Sequence, residues 1–385
     1  MRRRQRLIVA AATCAGALVM IALLTSFGSA TEGPLAAAFD RLASAVDSVE
    51  HRVRERLTGR GRARALAWFD EYRQHAAKLD DPDVMLLGAY DDGLPASLGG
   101  LVTLERRLGT TFPLAQVYTA WGDRPEHQFP LRIATSIWNM GSVPVVTWEP
   151  WLAVFDNARH PFLPLRERRD RGGLAAVARG EYDFYIDGWA ATAARFGRPF
   201  FLRFAHEMND PYRYPWGPQH NTKEEFIAAW RHVVERFRRA GAANVIWVWS
   251  PHVAHEYWDL YYPGGDYVDW TATGVLNFGP IAYWSRWWTF EEIFGTKYPR
   301  LAAFGKPIMI AEFGSLAVGG DRLGWYRDAL AALPVQYPRV KALLFFHAAG
   351  DRTVTAQNVD WSFDDQPELT KPIGDALRAF AAPVR

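Results

Sequence analysis

Residues Phe200–Gly217 read FFLRFAHEMNDPYRYPWG, an apolar run that ends abruptly on a polar, aromatic-rich cluster centred on His206 and Glu207. A second apolar run, KPIMIAEFGS from Lys306, leads to Glu312 in the same way. Uninterrupted apolar runs of this kind are typical of strands that are buried on both faces. We therefore predict two buried strands, far apart in the sequence, that each place a glutamate at their carboxyl end.

Short apolar runs alternate with longer helical patterns along most of the chain, which is typical of strand–helix units around a parallel sheet. Eight runs are predicted as strands: VMLLGAY from Val84, LAQVYTAW from Leu114, VPVVTW from Val143, PFFLRFAH from Pro199, NVIWVW from Asn244, ATGVLNF from Ala272, PIMIAEF from Pro307 and KALLFFH from Lys341. About 300 residues for eight units suits a (β/α)8 TIM barrel. A doubly wound open sheet is the alternative, but no glycine-rich phosphate loop follows the first strand, where that fold would usually have one.

Composition limits the possible partners. The 385 residues are 49% hydrophobic and 22% charged, which is enough apolar content for one large core or two modest ones. The 44 basic and 42 acidic residues nearly cancel, so no overall field attracts nucleic acid, and we predict a neutral ligand. The 17 Trp, 15 Tyr and 23 Phe residues matter here, because aromatic faces stack on sugar rings as readily as they fill cores.

The N-terminus begins MRRRQR and continues with an uncharged run over residues 7–27 that is long enough to cross a bilayer as a helix. By the positive-inside rule the arginines stay in the cytoplasm and everything after residue 27 lies outside. We interpret residues 1–30 as a signal anchor or a signal peptide. The expectation is an exported, periplasmic or extracellular domain, tethered to the cytoplasmic membrane by residues 7–27.

Residues 31–80 are predicted to form a helical stalk or linker before a catalytic domain over residues 81–385. Apolar residues recur there in steps of four and three, at Leu35, Phe39, Leu42, Val46, Val49 and Val53. This heptad spacing fits a short coiled coil or an amphipathic helix that rests on the next domain. The arginines that follow, up to Arg64, fit either a position near anionic lipid headgroups or, more commonly, a solvated face.

Each predicted strand ends in a polar or aromatic residue, and in a barrel all these ends meet on the face that carries the active site. The residues are Tyr90 and Asp91, Trp121, Trp148 and Glu149, His206 and Glu207, Trp249, Asn277, Glu312, and His347. A strand whose end has no functional role would more often be followed by Gly, Asn or Ser. From this set we predict that Tyr90, Asp91, Trp148, Glu149 and Trp249 contact a substrate.

Paired carboxylates on the fourth and seventh strands suit hydrolysis of a glycosidic bond. One carboxylic acid must protonate the leaving oxygen, while the other carboxylate attacks the anomeric carbon or activates water. Glu207 and Glu312 fit these roles, and a separation near ~5 Å would imply retention of configuration. The competing interpretation is structural, with Glu207 paired to Arg203 or His206 and Glu312 acting as a helix N-cap partner in the following loop. No cofactor is needed for this chemistry, since two carboxylates suffice.

The segment His252–Glu256 reads HVAHE and contains potential zinc ligands. However, the order typical of zinc proteases is His-Glu-x-x-His on a helix, and this segment follows Ser250 and Pro251 at a strand end. We therefore expect no metal. The histidines are interpreted as hydrogen-bonding to substrate or to each other.

HEMN followed by YPWG, the preceding EYDFYIDGWAATAARFGRPFFLRF, the later YYPGGDYVDW and KPIMIAEFGS together resemble glycoside hydrolase family 26. The resemblance extends from Val84 to the C-terminus. It implies a (β/α)8 barrel with catalytic glutamates on strands four and seven, which acts with retention and mostly as an endo-β-1,4-mannanase. Carried over to this chain, it implies that Glu207 is the acid/base and Glu312 the nucleophile.

The same resemblance suggests further site residues. His206 would orient the acid or contact the sugar, and Trp216 in YPWG looks like the aromatic platform of the family. An aromatic hydroxyl that contacts the nucleophile is expected after the sixth strand, where Tyr283 is the nearest candidate, although Trp284 or Trp288 could equally face the sugar.

The chain departs from the mannanase pattern after the third strand. Mannanases of the family carry a histidine in that loop, whereas this chain reads TWEPW, with Glu149 between Trp148 and Trp151. Such a motif resembles members that act on other β-linked glycans, including mixed-linkage β-1,3-1,4-glucan or a bacterial exopolysaccharide. Mannan remains the first expectation from the family. A non-catalytic, membrane-tethered carbohydrate-binding protein and an envelope scaffold are the alternative classes of function.

Overall fold

The computed structural model describes residues 61–255, 257–353, 355, 357–378 and 380. The chain divides into two compact units, Met1–Gly61 and Arg62–Arg385, and every element named below belongs to the second. The apolar run over residues 7–27 and the heptad pattern over residues 35–53 lie outside the described residues. Within the described ranges, no helix combines the length and apolar character needed to span a membrane.

Eight parallel strands form a closed barrel in sequence order. They are β1 Leu86–Asp91, β2 Leu114–Ala120, β3 Val143–Glu149, β4 Phe200–Phe204, β5 Val245–Trp249, β6 Trp270–Asn277, β7 Ile308–Ser315 and β8 Val340–His347. The last strand pairs with the first, in a register that runs from Leu86 opposite Ala342 to Asp91 opposite His347. This pairing excludes the open doubly wound sheet and confirms the (β/α)8 barrel.

Helices surround the barrel. They are α1 Asp70–Gln74, α2 Ala76–Leu79, α3 Gly99–Leu108, α4 Leu131–Asn139, α5 Gly173–Ala178, α6 Asp183–Phe196, α7 Lys223–Arg239, α8 Tyr298–Ala302, α9 Arg322–Gln336 and α10 Pro367–Arg378. Short 3-10 turns lie in the loops, among them Trp258–Tyr261 and Gly279–Ile281, and Glu291–Gly295 forms a single π-helical turn.

The longest of these helices, α7, illustrates how the sequence sets the helix ends. The Thr222 side chain accepts a hydrogen bond from the Glu225 N–H, and the Glu225 carboxylate accepts one from the Thr222 N–H. This reciprocal capping box satisfies two backbone donors that the helix itself leaves unpaired. The face that α7 buries against the barrel consists of Phe226, Ala229, Trp230, Val233, Val234 and Phe237.

The strands are buried on both faces. Every residue of β4, β5 and β7 is buried, because one face lines the barrel interior and the other packs under the helices. This is the physical reason why the strands read as continuous apolar runs rather than as an alternating pattern.

The start of the barrel unit differs from the expected stalk over residues 31–80. The Arg62 guanidinium is buried and forms two hydrogen bonds to the Glu105 carboxylate of α3, at 2.9 and 2.5 Å. The indole N–H of Trp270 in β6 donates to the carbonyl of Leu79 at 2.8 Å. Residues 62–79 therefore pack as part of the barrel unit, and Arg62 does not lie on a solvated face.

Candidate active site

Glu207 lies at the start of the loop between β4 and α7. Its backbone is left-handed, with φ of 54°, and its N–H donates to the carbonyl of Ser250 at 2.7 Å. A non-glycine residue holds this conformation only where its surroundings enforce it. The carboxylate is buried, and its Oε2 accepts a hydrogen bond from Arg213 Nη1 at 3.0 Å. The local fold thus directs the Glu207 carboxylate to one fixed position.

Glu312 lies in the middle of β7 and is also buried. Its Oε1 accepts hydrogen bonds from Arg203 Nη1 at 2.7 Å and from the Tyr118 hydroxyl at 2.8 Å. Burial alone would raise the pKa of Glu312, but the charge and hydrogen bond of Arg203, with the hydrogen bond of Tyr118, lower it below its ordinary value. Glu312 is therefore a carboxylate at neutral pH, the form that a nucleophile requires.

The two carboxylates border the same space above Gly274 of β6. A β-carbon added at Gly274 would lie 3.6 Å from Glu312 Oε2 and 3.7 Å from Glu207 Oε1. These are the two oxygens that the arginines leave free, since Arg203 holds Glu312 Oε1 and Arg213 holds Glu207 Oε2. Each glutamate thus has one oxygen held by a cation and one directed at a shared cavity.

The hydroxyl that contacts the nucleophile comes from Tyr118 and not from Tyr283. The Tyr283 side chain is fully exposed in the loop after β6, so the sequence-based assignment of Tyr283 to this contact is wrong. Tyr118 is in β2, where it is one of the few polar side chains of an apolar strand, and that is a signal that sequence reasoning could have used. Burial and the charge of Glu312 raise the pKa of Tyr118 well above its ordinary value, so the hydroxyl stays a donor.

Tyr118→Phe should lower activity at neutral pH by roughly 10- to 100-fold, because a hydrogen bond to a charged group contributes about 1.5–3 kcal/mol. Since that bond lowers the pKa of Glu312, its loss should also move the acid limb of the pH–rate profile to higher pH. The measurement is kcat/KM from pH 3 to pH 9 for wild type and variant. An acid limb at the wild-type position would show that Tyr118 does not act on Glu312.

His206 and Trp216 are placed behind the site surface and position Tyr214. His206 Nε2 lies 3.0 Å from the Tyr214 hydroxyl, and the Trp216 indole donates to the His206 carbonyl at 2.7 Å. The Trp216 ring is buried and stacks on Tyr214 at a centroid distance of 4.4 Å, whereas Tyr214 is only half-buried. Burial, followed by the charges of Arg203 and Arg213, keeps the pKa of His206 well below its ordinary value, so His206 is neutral. Trp216 is therefore not an exposed aromatic platform, contrary to the expectation from the resemblance.

Trp148 and Trp249 do not line the cleft, contrary to the sequence-based expectation. Trp148 is fully buried and packs on Trp189 of α6 at 4.3 Å. Trp249 is fully buried and packs on Phe304 at 5.1 Å. Successive side chains of a strand point to opposite faces, and both tryptophans point outwards to the helices. They belong to the core.

The two residues predicted at the end of β1 have different environments. The half-buried Tyr90 ring meets Tyr118 edge-on at 4.8 Å, which places it beside the nucleophile. Asp91 is buried, and its carboxylate lies 3.0 Å from His347 Nδ1 at the end of β8 and accepts the Gly93 N–H at 3.0 Å. Asp91 thus connects the first and last strands.

Glu149 at the end of β3 is a third carboxyl group of the site. Its Oε2 accepts a hydrogen bond from the Trp151 indole at 3.1 Å. Burial raises the pKa of Glu149 from an ordinary 4.5 to about 7, while Trp151 and Arg203 partly oppose the effect. Glu149 can therefore donate or accept a hydrogen bond to a sugar hydroxyl near neutral pH.

Glu149→Gln should stabilise the protein in alkaline but not in acidic solution. The folded-state pKa lies above the ordinary 4.5, so the cost of ionising Glu149 appears as pH rises through 4.5 and is complete above about 7. Glutamine removes this cost and can still accept the Trp151 bond. We expect the free energy of unfolding to rise by up to about 3 kcal/mol at pH 8 and to be unchanged at pH 4, measured by urea denaturation. An equal change at both pH values would contradict the burial argument.

Arg213 is a site residue that sequence reasoning missed. One guanidinium nitrogen binds Glu207, and the other donates to the Thr353 hydroxyl at 2.8 Å. Thr353 is held in turn by the Asp351 carboxylate in the loop after β8. The sequence offers only one signal for this role, an arginine within the YRYPWG motif. The order of residues along the chain does not show that the two loops meet.

The sequence profile described as Glycosyl hydrolase family 26 matches residues 185–297, which include Glu207 but not Glu312. The chain is 32% identical over 310 residues to Endoglucanase H of Acetivibrio thermocellus, which covers 76% of this chain and 31% of that protein. It is 30% identical over 166 residues to Mannan endo-1,4-beta-mannosidase A and B of Caldalkalibacillus mannanilyticus, which covers 40% of this chain and 29% of that protein. The chain thus spans less than a third of the length of either relative.

Among solved structures, the chain is similar to a GH26 beta-mannanase from Bacteroides ovatus. The TM-score is 0.54 at 18% sequence identity, with 79% of this chain and 90% of that chain covered. At this identity the likeness concerns the fold, which agrees with the closed eight-stranded barrel described above.

Proposed function

Because the chain belongs to glycoside hydrolase family 26, we propose that it is a retaining endo-β-glycosidase that hydrolyses a β-linked polysaccharide. One observation carries this proposal: Glu207 and Glu312 are both buried, each is held by its own arginine, and their free oxygens border one cavity above Gly274. Paired carboxyl groups on barrel strands suit hydrolysis of a glycosidic bond, and retention of configuration is what membership of the family implies.

In the first step, Glu312 Oε2 attacks the anomeric carbon and the bond to the leaving oxygen breaks. Glu207 gives its proton to that oxygen, so the leaving sugar departs neutral. Arg203 and Tyr118 hold Glu312 Oε1 throughout and keep Oε2 directed at the cavity. Glu207 is then a carboxylate, which Arg213 stabilises.

In the second step, the Glu207 carboxylate takes a proton from a water molecule, and the oxygen of that water attacks the same carbon. The bond to Glu312 breaks, the product keeps its original configuration, and Glu207 is protonated again. Both steps use only the two carboxyl groups and water.

For the polymer, we propose a β-1,4-mannan-type backbone as the first candidate, in line with the family and with the mannosidase among the relatives. Mixed-linkage β-1,3-1,4-glucan is the second candidate, and two observations favour it. Glu149 occupies the end of β3, and the longest match is to a protein named Endoglucanase H. An exported bacterial polysaccharide is the third.

The test is release of new reducing ends from mannan, galactomannan, mixed-linkage glucan and xylan by the purified full-length chain, with Glu312→Ala as control. Cleavage of one polymer by wild type alone would support the hydrolase and identify its substrate. Nuclear magnetic resonance of the first product would show whether configuration is retained. Polymer binding without cleavage, unchanged in Glu312→Ala, would instead support a carbohydrate-binding protein.

We also propose that the enzyme acts outside the cytoplasmic membrane. The arginine-rich start and the apolar run over residues 7–27 support export. Fractionation of producing cells tests this, with the protein expected in the envelope or medium fraction and not among cytoplasmic proteins.

A further inference from the structure

Two carboxylates, one of them the proposed acid Glu207, converge with two imidazoles. Potential ligand atoms of Glu207, Asp210 and His252 all lie within 4.8 Å of one another. His252 Nε2 is 4.0 Å from Glu207 Oε1, and His255 Nε2 is 3.5 Å from Asp210 Oδ1. The His252–Glu207 separation is longer than a hydrogen bond, whereas the His255–Asp210 separation is at the outer limit of one. The His252 imidazole therefore faces the Glu207 carboxylate across a gap.

The loop that carries the imidazoles is fixed to the loop that carries the carboxylates. The Asn209 amide donates to the carbonyls of His252 at 3.1 Å and His255 at 2.5 Å, and its oxygen accepts the His252 N–H at 2.7 Å. The Trp258 indole also donates to the His252 carbonyl, at 3.1 Å. Because the two backbones are already joined, bringing the four side chains together costs little additional ordering.

We propose that Glu207, Asp210 and His252, with His255 beside them, bind a divalent cation of the Zn²⁺ class, and that the bound cation reversibly inhibits hydrolysis. Mixed imidazole and carboxylate ligands suit Zn²⁺, whereas Mg²⁺ and Ca²⁺ prefer six or more oxygens. With ligand distances of about 2.0–2.2 Å, neighbouring ligands of a tetrahedral zinc lie roughly 3.4 Å apart. The largest separation in the cluster, 4.8 Å, exceeds that value by about 1.4 Å, which movement of the side chains must close on binding.

Two features of the cluster limit the affinity. Arg213 brings a positive charge to Glu207 Oε2, but the oxygen that faces His252 is Oε1, so the guanidinium and the cation would use different oxygens. His252 Nδ1 accepts the Ala254 N–H at 3.1 Å, and this bond must open for Nε2 to become a ligand. Ala254 is exposed, so water can replace the bond. We expect micromolar rather than nanomolar binding.

The inhibition follows from the chemistry of Glu207. A carboxylate oxygen that coordinates a cation cannot carry the proton that the leaving oxygen needs. The expected inhibition rests on the proposed function, whereas cation binding does not. The cation is an inhibitor here and takes no part in either step of hydrolysis.

The experiment titrates Zn²⁺ into the full-length protein by calorimetry and measures polymer hydrolysis in the same buffer. Wild type should bind one Zn²⁺ at this cluster with micromolar affinity and lose hydrolysis, which EDTA should restore. His252→Ala and Asp210→Asn should each weaken this binding at least 10-fold, and the Zn²⁺ concentration that halves hydrolysis should rise by the same factor when each variant is compared with its own hydrolysis in the absence of Zn²⁺. His75→Ala, which removes an exposed histidine elsewhere, should behave as wild type.

Equal Zn²⁺ binding by wild type, His252→Ala and Asp210→Asn would overturn the proposal, as would inhibition of His252→Ala at the same Zn²⁺ concentration as wild type. Mg²⁺ should neither bind nor inhibit, and inhibition by Mg²⁺ at similar concentrations would contradict the ligand chemistry. Binding that follows the variants in a protein that cleaves no polymer would support the cation site and count against the hydrolase. Hydrolysis without Zn²⁺ binding would support the hydrolase and count against the cation site.

Discussion

Replacing Glu312 with glutamine should lower kcat on the order of 10⁴-fold or more, while polysaccharide binding is retained. The amide cannot attack the anomeric carbon, and no covalent intermediate can then form. Glutamine has the shape of glutamate, and its oxygen can still accept the hydrogen bonds of Arg203 and Tyr118. The measurement combines steady-state hydrolysis with calorimetric binding of oligosaccharides of the cleaved polymer.

Glu312→Ala is the more disruptive form of the same test. It leaves the fully buried Arg203 without its carboxylate, and an uncompensated buried charge costs about 3–5 kcal/mol. Alanine should therefore lose stability as well as activity, whereas glutamine should lose mainly activity. A glutamine variant that keeps more than a small fraction of wild-type activity would remove Glu312 from the role of nucleophile.

Replacing Glu207 with alanine should lower hydrolysis of the natural polymer by roughly 10²–10⁴-fold, the usual contribution of a general acid. The loss should depend on the leaving group. An aryl glycoside with an acidic phenol needs no proton to depart, so its first step should be little affected. Its pH–rate profile should then lose the alkaline limb, because no acid remains to be deprotonated.

Arg213→Met is the matched control for Glu207, since it keeps the acid and removes only the cation at 3.0 Å from it. This variant should retain an alkaline limb, because Glu207 is still present as the acid. An unchanged alkaline limb in Glu207→Ala, measured with the aryl glycoside, would refute the acid/base assignment.

The strands could be predicted from sequence because burial on both faces leaves a continuous apolar run. The run from Val143 was predicted to end at residue 148, and β3 ends at Glu149; the run from Lys341 matches β8 within one residue. Closure was not predictable, since it depends on the pairing of β1 with β8 across more than 250 residues.

The site was predictable only in part. Glu207 stands out because it directly follows a buried strand, and Glu312 because a charge within a buried strand is costly without a purpose. Trp148 and Trp249 stand equally close to strand ends, yet they are core residues, because side chains alternate between the two faces of a strand. Arg213 could not be assigned, since its contact with Thr353 joins loops 140 residues apart.

The N-terminal boundary of the catalytic unit was likewise not predictable from the local sequence. The sequence around Arg62 resembles a basic linker, but the partner that buries this arginine is Glu105 of α3. A buried ion pair leaves no periodic signal, because each residue alone is typical of the surface. Local patterns thus located the elements, whereas long-range pairs determined the boundaries and the electrostatics.

The most direct test of Glu312 as the nucleophile is mass spectrometry of the protein after incubation with an activated 2-deoxy-2-fluoro glycoside. The fluorine slows both formation and breakdown of the glycosyl-enzyme, and the good leaving group restores the rate of formation alone, so the intermediate should accumulate. Manno- and gluco-configured reagents would both be used. We expect one glycosyl unit per chain, attached to the peptide that contains Glu312, and none in Glu312→Gln. Attachment to Glu149 or Glu207, or turnover of the natural polymer with inversion of configuration, would contradict the mechanism.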